Sequence, residues 1–294
     1  MRPVFRWSLR IAVAVLALAL LALLTLYVRG SQSLAATHDV PTAALTISTD
    51  SASVARGAHL AGIYGCRDCH GADLAGQVMS EEGPFRVSAP NLTPAGVGAA
   101  YDAEAWDRAI RHGVGADGTA LFVMPSGAYN RMSDTEAADL VAFFETLGPV
   151  ERDVPPMEFR ALGRILAGGP IRLADGVYPD AAPETSPPPG ATEAYGAYVA
   201  GMMCAYCHGA DLAGEQPETP GSPYAPDLAA SGQWPPEAFH RSLQTGQTPD
   251  GRQMDPEFMP WTSTARMTPD EREGLRLYLA TLAARRAVSG AAGT

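Results

Sequence analysis

The fold is decided by a short sequence that occurs twice, as CRDCHGADLAG at residues 66–76 and as CAYCHGADLAG at residues 204–214. The similarity continues downstream in the same order, with APNL at residues 89–92 matched by APDL at residues 225–228. Such an internal repeat indicates that one structural unit has been duplicated within the chain.

Each copy contains Cys-x-x-Cys-His, the attachment signature of c-type haem. Two thiols at this spacing can form thioethers to the two vinyl groups of one porphyrin, and the next residue supplies the proximal histidine ligand of the iron. The pattern therefore predicts two covalently bound haem c groups. The residues so assigned are Cys66, Cys69 and His70 in the first copy and Cys204, Cys207 and His208 in the second.

Two other uses of these cysteines are weighed against haem. A zinc site would require both pairs to converge across the two copies, and it would leave the paired histidines unexplained. A redox-active CxxC is disfavoured because no βαβ pattern surrounds either pair.

The second axial ligand is predicted to be methionine, whose sulfur raises the reduction potential of a haem. Met124 and Met259 match between the copies, and each precedes a proline, which holds it in extended chain. Met132 and Met267 also match, but they precede helix starts and are interpreted as core residues. A haem with two histidine ligands, using His112, remains an alternative for the first copy.

The N-terminus predicts a membrane-crossing helix, because residues 11–28 contain no charged side chain. Arg2, Arg6 and Arg10 precede this stretch and only Arg29 directly follows it, so we expect the rest of the chain outside the cytoplasm. Residues 1–30 are thus a single-pass anchor in the cytoplasmic membrane, with the haem domains in the periplasm. A cleaved signal peptide ending before Ala36 is the alternative, and it would release a soluble periplasmic protein.

The remainder is predicted to be all-α, because no strand-like alternation is evident in either copy. The first domain is expected at residues 50–150 and the second at 190–285, here called the first and second repeat. A linker at residues 151–189 joins them and contains one helical candidate, MEFRALGRILAG. Capping boxes at residues 133–136 and 268–271 predict the start of the last helix in each repeat.

Composition excludes one class of partner. The chain has 294 residues and a formal net charge of −11, and every basic residue in it is arginine. Nucleic acid is therefore not an expected partner.

These motifs, with APNL and Met-Pro before a terminal helix, resemble the class I cytochrome c family. They resemble most the tandem cytochrome c subunits of membrane-bound dehydrogenases, although the alcohol dehydrogenase type carries three haems where this chain carries two. In haem count and anchor the chain also resembles the two-haem subunit of cbb3-type oxidases. The resemblance implies helical haem domains with His and Met ligands. It also implies that the carbonyl oxygens of Pro90 and Pro226 accept the Nδ1 protons of His70 and His208.

The expected function is single-electron transfer between redox proteins, such as a membrane or periplasmic dehydrogenase and a terminal oxidase, without catalysis by this chain. Two alternatives remain open. One is a haem enzyme of the peroxidase or thiosulfate-oxidising type with a labile ligand, and the other is a fixed haem subunit of a respiratory complex.

Overall fold

The computed structural model describes residues 2–169, 176–217 and 222–292. The two repeats have the same order of α-helices in the described residues. Each has one helix before its cysteine pair, a short helix that contains the second cysteine and the histidine, and three more helices after it. The N-terminal helix is α1 (Arg2–Leu34). The first repeat contains α2 (Ser51–Ile63), α3 (Cys66–His70), β1 (Gln77–Ser80), β2 (Phe85–Ala89), α4 (Ala103–Asp107), α5 (Ser126–Tyr129) and α6 (Asp134–Phe144). The linker contains β3 (Glu158–Phe159) and α7 (Ala161–Ala167), and the second repeat contains α8 (Glu193–Met203), α9 (Ala205–His208), α10 (Pro236–Thr245), α11 (Trp261–Thr264) and α12 (Pro269–Ala292).

The predicted capping boxes lie at the starts of α6 and α12. Thr268 and Glu271 form a complete box, in which each backbone N–H donates to the other residue's side chain, at 2.7 and 3.2 Å. Ser133 caps α6 by accepting from the Glu136 N–H, but the Glu136 carboxylate points elsewhere. The first box is therefore only half formed, which leaves a buried carboxylate for another use.

In each repeat the first and last helices cross at a glycine. A Cβ added at Gly57 would overlap the backbone of Asp139 in α6, and one added at Gly196 would overlap Gly274 in α12. Only glycine lets the two backbones approach this closely. The same crossing thus builds both repeats.

The expectation of an all-α fold is only partly confirmed, because the first repeat contains a small antiparallel sheet in the order β1-β2-β3. The β1-β2 hairpin turns at Gly83, which has a φ of +56°. Strand β3 comes from the linker and pairs Phe159 with Phe85. Their rings pack edge to face, with centroids 5.5 Å apart, so the linker is fastened to the first repeat.

The hydrophobic core is shared. One continuous cluster of buried side chains includes Ile63 and Val141 of the first repeat and Tyr195, Val199 and Leu275 of the second. The two repeats therefore pack against each other through their interiors.

Helix α1 is long and apolar enough to cross a membrane, with a mean hydropathy of 2.8 over its most apolar window. Its side chains from Val4 to Thr25 are exposed to the surroundings. Helix α1 therefore has the length and composition of a membrane anchor.

Candidate functional site

The loop after each cysteine pair has the same unusual backbone in both repeats. A non-glycine residue, Leu74 or Leu212, adopts a left-handed conformation between two glycines that do the same. Because left-handed leucine is disfavoured, this loop is held by its surroundings. The φ angles are +82° at Gly71, +59° at Leu74 and +82° at Gly76, and +83° at Gly209, +60° at Leu212 and +96° at Gly214.

This loop places the segment that contains Pro90 next to His70. The Gly76 N–H donates to the His70 carbonyl at 2.7 Å, and the Leu92 N–H donates to the Leu74 carbonyl at 2.8 Å. A Cβ on Gly76 would lie 2.7 Å from the Ala89 oxygen, so glycine is required for this close approach. The chain before Leu92 is thereby held across His70.

Both histidines are oriented in the way the family resemblance implies. His70 Nδ1 lies 2.8 Å from the Pro90 carbonyl oxygen, and His208 Nδ1 lies 2.7 Å from that of Pro226. A carbonyl only accepts, so Nδ1 carries the proton and Nε2 keeps the free lone pair that a metal ion could use. Burial lowers the pKa of both imidazoles, which favours the neutral ring that ligates a metal.

The cysteines have the character of neutral thiols. None of the four forms a disulfide, and burial raises the pKa of Cys66 and of Cys204 to about 12. Reactive redox thiols have a lowered pKa instead. Within residues 2–169, 176–217 and 222–292, no three His, Cys, Asp or Glu side chains cluster as a metal site.

The two methionine pairs lie in different surroundings. Met132 and Met267 are buried, with 1% and 3% of their surface exposed, as expected of core residues. Met124 and Met259 are half-buried in the loops before α5 and α11. In both loops the backbone N–H two residues after the methionine donates to the methionine carbonyl, so the two loops share this turn.

His112, the alternative axial ligand, is buried and donates from Nδ1 to the Tyr178 carbonyl of the linker at 2.8 Å. That bond fastens the linker to the π-helical turn Arg108–His112, which continues α4. The other ring nitrogen, Nε2, lies 4.0 Å from the buried Asp107 carboxylate, so both ring nitrogens face groups of the protein.

Sequence reasoning missed the contact between the two repeats, which reaches one haem-attachment segment. Asp68, between the paired cysteines, accepts hydrogen bonds from Ser263 and Arg266 of the second repeat, the latter at 3.1 Å. Arg266 also donates to the Gly62 carbonyl, at 3.3 Å. The cysteine-bearing α3 is thus tied to α11, which begins two residues after Met259.

Two buried carboxylates complete this interface in a symmetric way. Glu136 of the first repeat accepts from Tyr198 of the second at 2.7 Å, and Glu271 of the second repeat lies 2.9 Å from His59 Nε2 of the first. In the repeat alignment Glu136 matches Glu271 and His59 matches Tyr198. Each carboxylate is also bound by a tyrosine of its own repeat, Tyr64 or Tyr195, at 3.0 Å.

The two carboxylates differ in acidity. Burial raises the pKa of Glu136, although its two tyrosine partners oppose the effect. Burial also acts to raise the pKa of Glu271, but the hydrogen bonds from His59 and the Thr268 backbone outweigh it and lower the pKa. The same contact raises the pKa of His59. The only local signal in the sequence was the matched pair of glutamates, which we interpreted as capping residues.

Comparison with known proteins identifies relatives of this chain. The chain is 35% identical over 127 residues to the fructose dehydrogenase cytochrome subunit of Gluconobacter japonicus, a match covering 39% of this chain and 26% of that protein. It is 37% identical over 112 residues to the alcohol dehydrogenase (quinone) cytochrome c subunit of Gluconacetobacter polyoxogenes, covering 34% of this chain and 23% of that protein. The aligned part therefore spans about a quarter of each relative. The family model described as cytochrome C oxidase, cbb3-type, subunit III matches residues 52–144 and 191–279, more than half of the chain, and the protein therefore belongs to this family of c-type cytochromes.

Proposed function

We propose that the chain binds two haem c groups, one in each repeat, and transfers single electrons between redox proteins. Membership of the family implies haem c. The observation that carries the number two is that His70 and His208 are oriented by the same bond to a proline carbonyl, each after a pair of free cysteines. The site residues fit a covalently attached porphyrin in both repeats.

The assigned residues divide the work. Cys66 and Cys69 would hold one porphyrin through thioethers, and Cys204 and Cys207 would hold the other. The Pro90 and Pro226 carbonyls keep the proximal histidines in one tautomer and orientation. When bound, each haem supplies an iron that changes oxidation state by one electron.

We assign Met124 and Met259 as the second axial ligands. Their half-buried positions and matched turns support this, while Met132 and Met267 are buried in the core. If these methionines hold the iron together with His70 and His208, no position would remain for a substrate, and the arrangement would suit electron transfer rather than catalysis. Carbon monoxide binding rapidly to the reduced native protein would instead favour the haem-enzyme alternative.

We also propose where electron transfer takes place. Helix α1 anchors the chain in the cytoplasmic membrane, and the arginines before its apolar stretch keep the N-terminus inside, so both repeats lie in the periplasm. The printed names of the relatives describe cytochrome subunits of dehydrogenases. A membrane-bound dehydrogenase is therefore the electron donor that we propose, and a terminal oxidase is a candidate acceptor.

Haem counting tests the number. The full chain is produced with the haem c attachment machinery, and bound haem per polypeptide is measured by the pyridine haemochrome assay and by denatured mass. We expect two haems that resist acid-acetone extraction, and one in the variant with Cys204→Ala and Cys207→Ala. Colour removed by acid-acetone, or an unchanged haem content in that variant, would refute the assignment.

A further inference from the structure

The most extensive contact of the N-terminal helix within this chain is with the linker helix α7. A Cβ added at Gly30 would overlap the Arg164 carbonyl oxygen and lie 2.8 Å from the Gly168 nitrogen. A Cβ added at Gly168 would overlap the Leu26 carbonyl oxygen and lie 2.7 Å from the Gly30 nitrogen. The two helices are therefore in backbone contact at a pair of glycines, the kind of close crossing that small residues permit.

Helix α7 has three faces with different surroundings. Arg164 and Gly168, one helical turn apart, face α1. Gly163 faces the β1-β2 hairpin, because a Cβ there would lie 2.6 Å from the Pro84 oxygen. The third face carries only apolar residues, namely Leu162, Ile165 and Leu166, and Leu162 is 56% exposed.

The position of this crossing along α1 indicates that lipid covers the third face of α7. Gly168 meets α1 at Leu26, two residues inside the end of the uncharged stretch at residues 11–28. At a rise of about 1.5 Å per residue, two residues of α1 span about 3 Å. The C-terminal end of α7 therefore lies about 3 Å inside the end of the uncharged stretch. This places α7 at the boundary of headgroups and acyl chains, where amphipathic helices bury their apolar face by about 5–10 Å.

The chain after α1 is also built into the first repeat. Thr37 bridges to Thr119, and the His38 N–H donates to the Gly118 carbonyl at 2.8 Å. The Ala43 N–H donates to the buried Asp107 carboxylate, also at 2.8 Å. Cleavage before Ala36 would leave this segment in place but would remove the partner of α7.

We propose that α7 is a second membrane contact, with Leu162, Ile165 and Leu166 in the lipid interface, and that the protein keeps α1 uncleaved as its partner. The two helices then hold the first repeat at the bilayer surface in a fixed orientation. This inference rests on the proposed role of α1 as an anchor.

Photo-crosslinking tests both statements separately. The photoreactive residue p-benzoylphenylalanine is introduced at Leu20, Leu162 or Val288 of the full chain, which are 57%, 56% and 71% exposed. Each variant is reconstituted into vesicles of phosphatidylethanolamine and phosphatidylglycerol, irradiated and analysed by mass spectrometry. We expect lipid adducts at Leu20 and Leu162, no adduct at Val288, and an intact mass that includes residues 1–35.

The outcomes separate the two proposals. Lipid adducts at Leu20 but not at Leu162 would overturn the role of α7 and leave the anchor intact, and so would a crosslink from Leu162 to a second copy of the chain. Loss of the Leu20 adduct as well, or a mass lacking residues 1–35, would overturn the anchor itself. In a Gly168→Leu background, which forces the helices apart, the Leu162 adduct should fall while the Leu20 adduct persists.

Discussion

Met124 and Met259 are the residues whose chemistry would set the two reduction potentials. Replacing a thioether ligand by imidazole reverses the increase in potential that methionine gives. We therefore expect Met124→His and Met259→His each to lower the potential of one haem, by on the order of 0.1 V or more, since axial ligands cover a span of about 0.8 V. A spectroelectrochemical titration that resolves both haems measures this.

Met132→Leu and Met267→Leu are the matched controls. These residues are buried, and a Met to Leu change of similar volume usually costs less than about 1.5 kcal/mol. Both potentials should stay unchanged in the controls. Loss of the sulfur-to-iron absorption band in the controls, with its retention in the histidine variants, would reverse the ligand assignment.

His59 gives the interface a pH dependence. Its contact with Glu271 raises the histidine pKa above the usual value of 6.5, so the stabilisation is fully present below about pH 6.5 and is lost as pH rises through the folded-state pKa. We expect His59→Gln to lower the free energy of unfolding by about 1 kcal/mol near pH 5.5 and by less near pH 8, a modest value because His59 is partly exposed. Urea unfolding followed by circular dichroism measures it, with His38→Gln as the control. An equal loss at both pH values would show that the ion pair contributes nothing.

At the scale of elements, the left-handed loop after each histidine is sensitive to a single methyl group. Gly214 has a φ of +96°, and a Cβ there would lie 2.8 Å from the Ala225 oxygen, next to Pro226. We expect Gly214→Ala to destabilise the second repeat by about 2 kcal/mol or more and to lower its haem content.

Gly251→Ala is the matched control for that change. Gly251 has a similar φ of +86°, but a Cβ there would meet no atom within 4 Å. The Gly251→Ala change should lower the free energy of unfolding only through backbone strain, by about 1 kcal/mol, and the variant should retain two haems. If both variants lost the same stability and the same haem, the close approach at Gly214 would be irrelevant. Thermal unfolding measures the stability of both variants, and the pyridine haemochrome assay measures their haem content.

The helices were predictable from sequence because their signals are local. The last helices predicted from the capping boxes at residues 133–136 and 268–271 appear as Asp134–Phe144 and Pro269–Ala292, since the caps lie within each segment. The sheet was missed because its strands are short. In addition, β3 lies in the linker and pairs with β2, which is about 70 residues earlier in the sequence. Such pairing is set by tertiary contacts, which leave little local pattern.

The prediction of the proximal ligands rests on an equally local signal. Cys-x-x-Cys-His fixes its own chemistry within five residues, so the proximal ligands could be assigned directly. The contacts of Asp68 with Ser263 and Arg266 join residues almost two hundred positions apart, and no spacing rule connects them. The conformation of Leu74 was equally hidden, because leucine gives no sign of a left-handed backbone.

At the scale of the molecule, net charge governs how a soluble partner would approach. The chain carries −11 and has no lysine, and haem propionates would add further negative charge. We expect electron transfer with a basic diffusing partner to slow as salt rises from about 0.01 to 0.15 M, because the Debye length falls from about 30 to 8 Å. Stopped-flow rates against ionic strength measure this. Rates that rise with salt would contradict the steering argument, and a flat response would point to a fixed subunit of a larger complex.

The paired contacts of Glu136 and Glu271 show how the two repeats meet. The two carboxylates stand at matched positions, and each is bound by the residue at the matched position of the other repeat, Tyr198 or His59. This reciprocity is the mark of an isologous interface, which two identical subunits form around a two-fold axis. These two contacts therefore have the reciprocal arrangement that two copies of one repeat would form around a two-fold axis. The two contacts still differ in acidity, because histidine stands in the first repeat where tyrosine stands in the second.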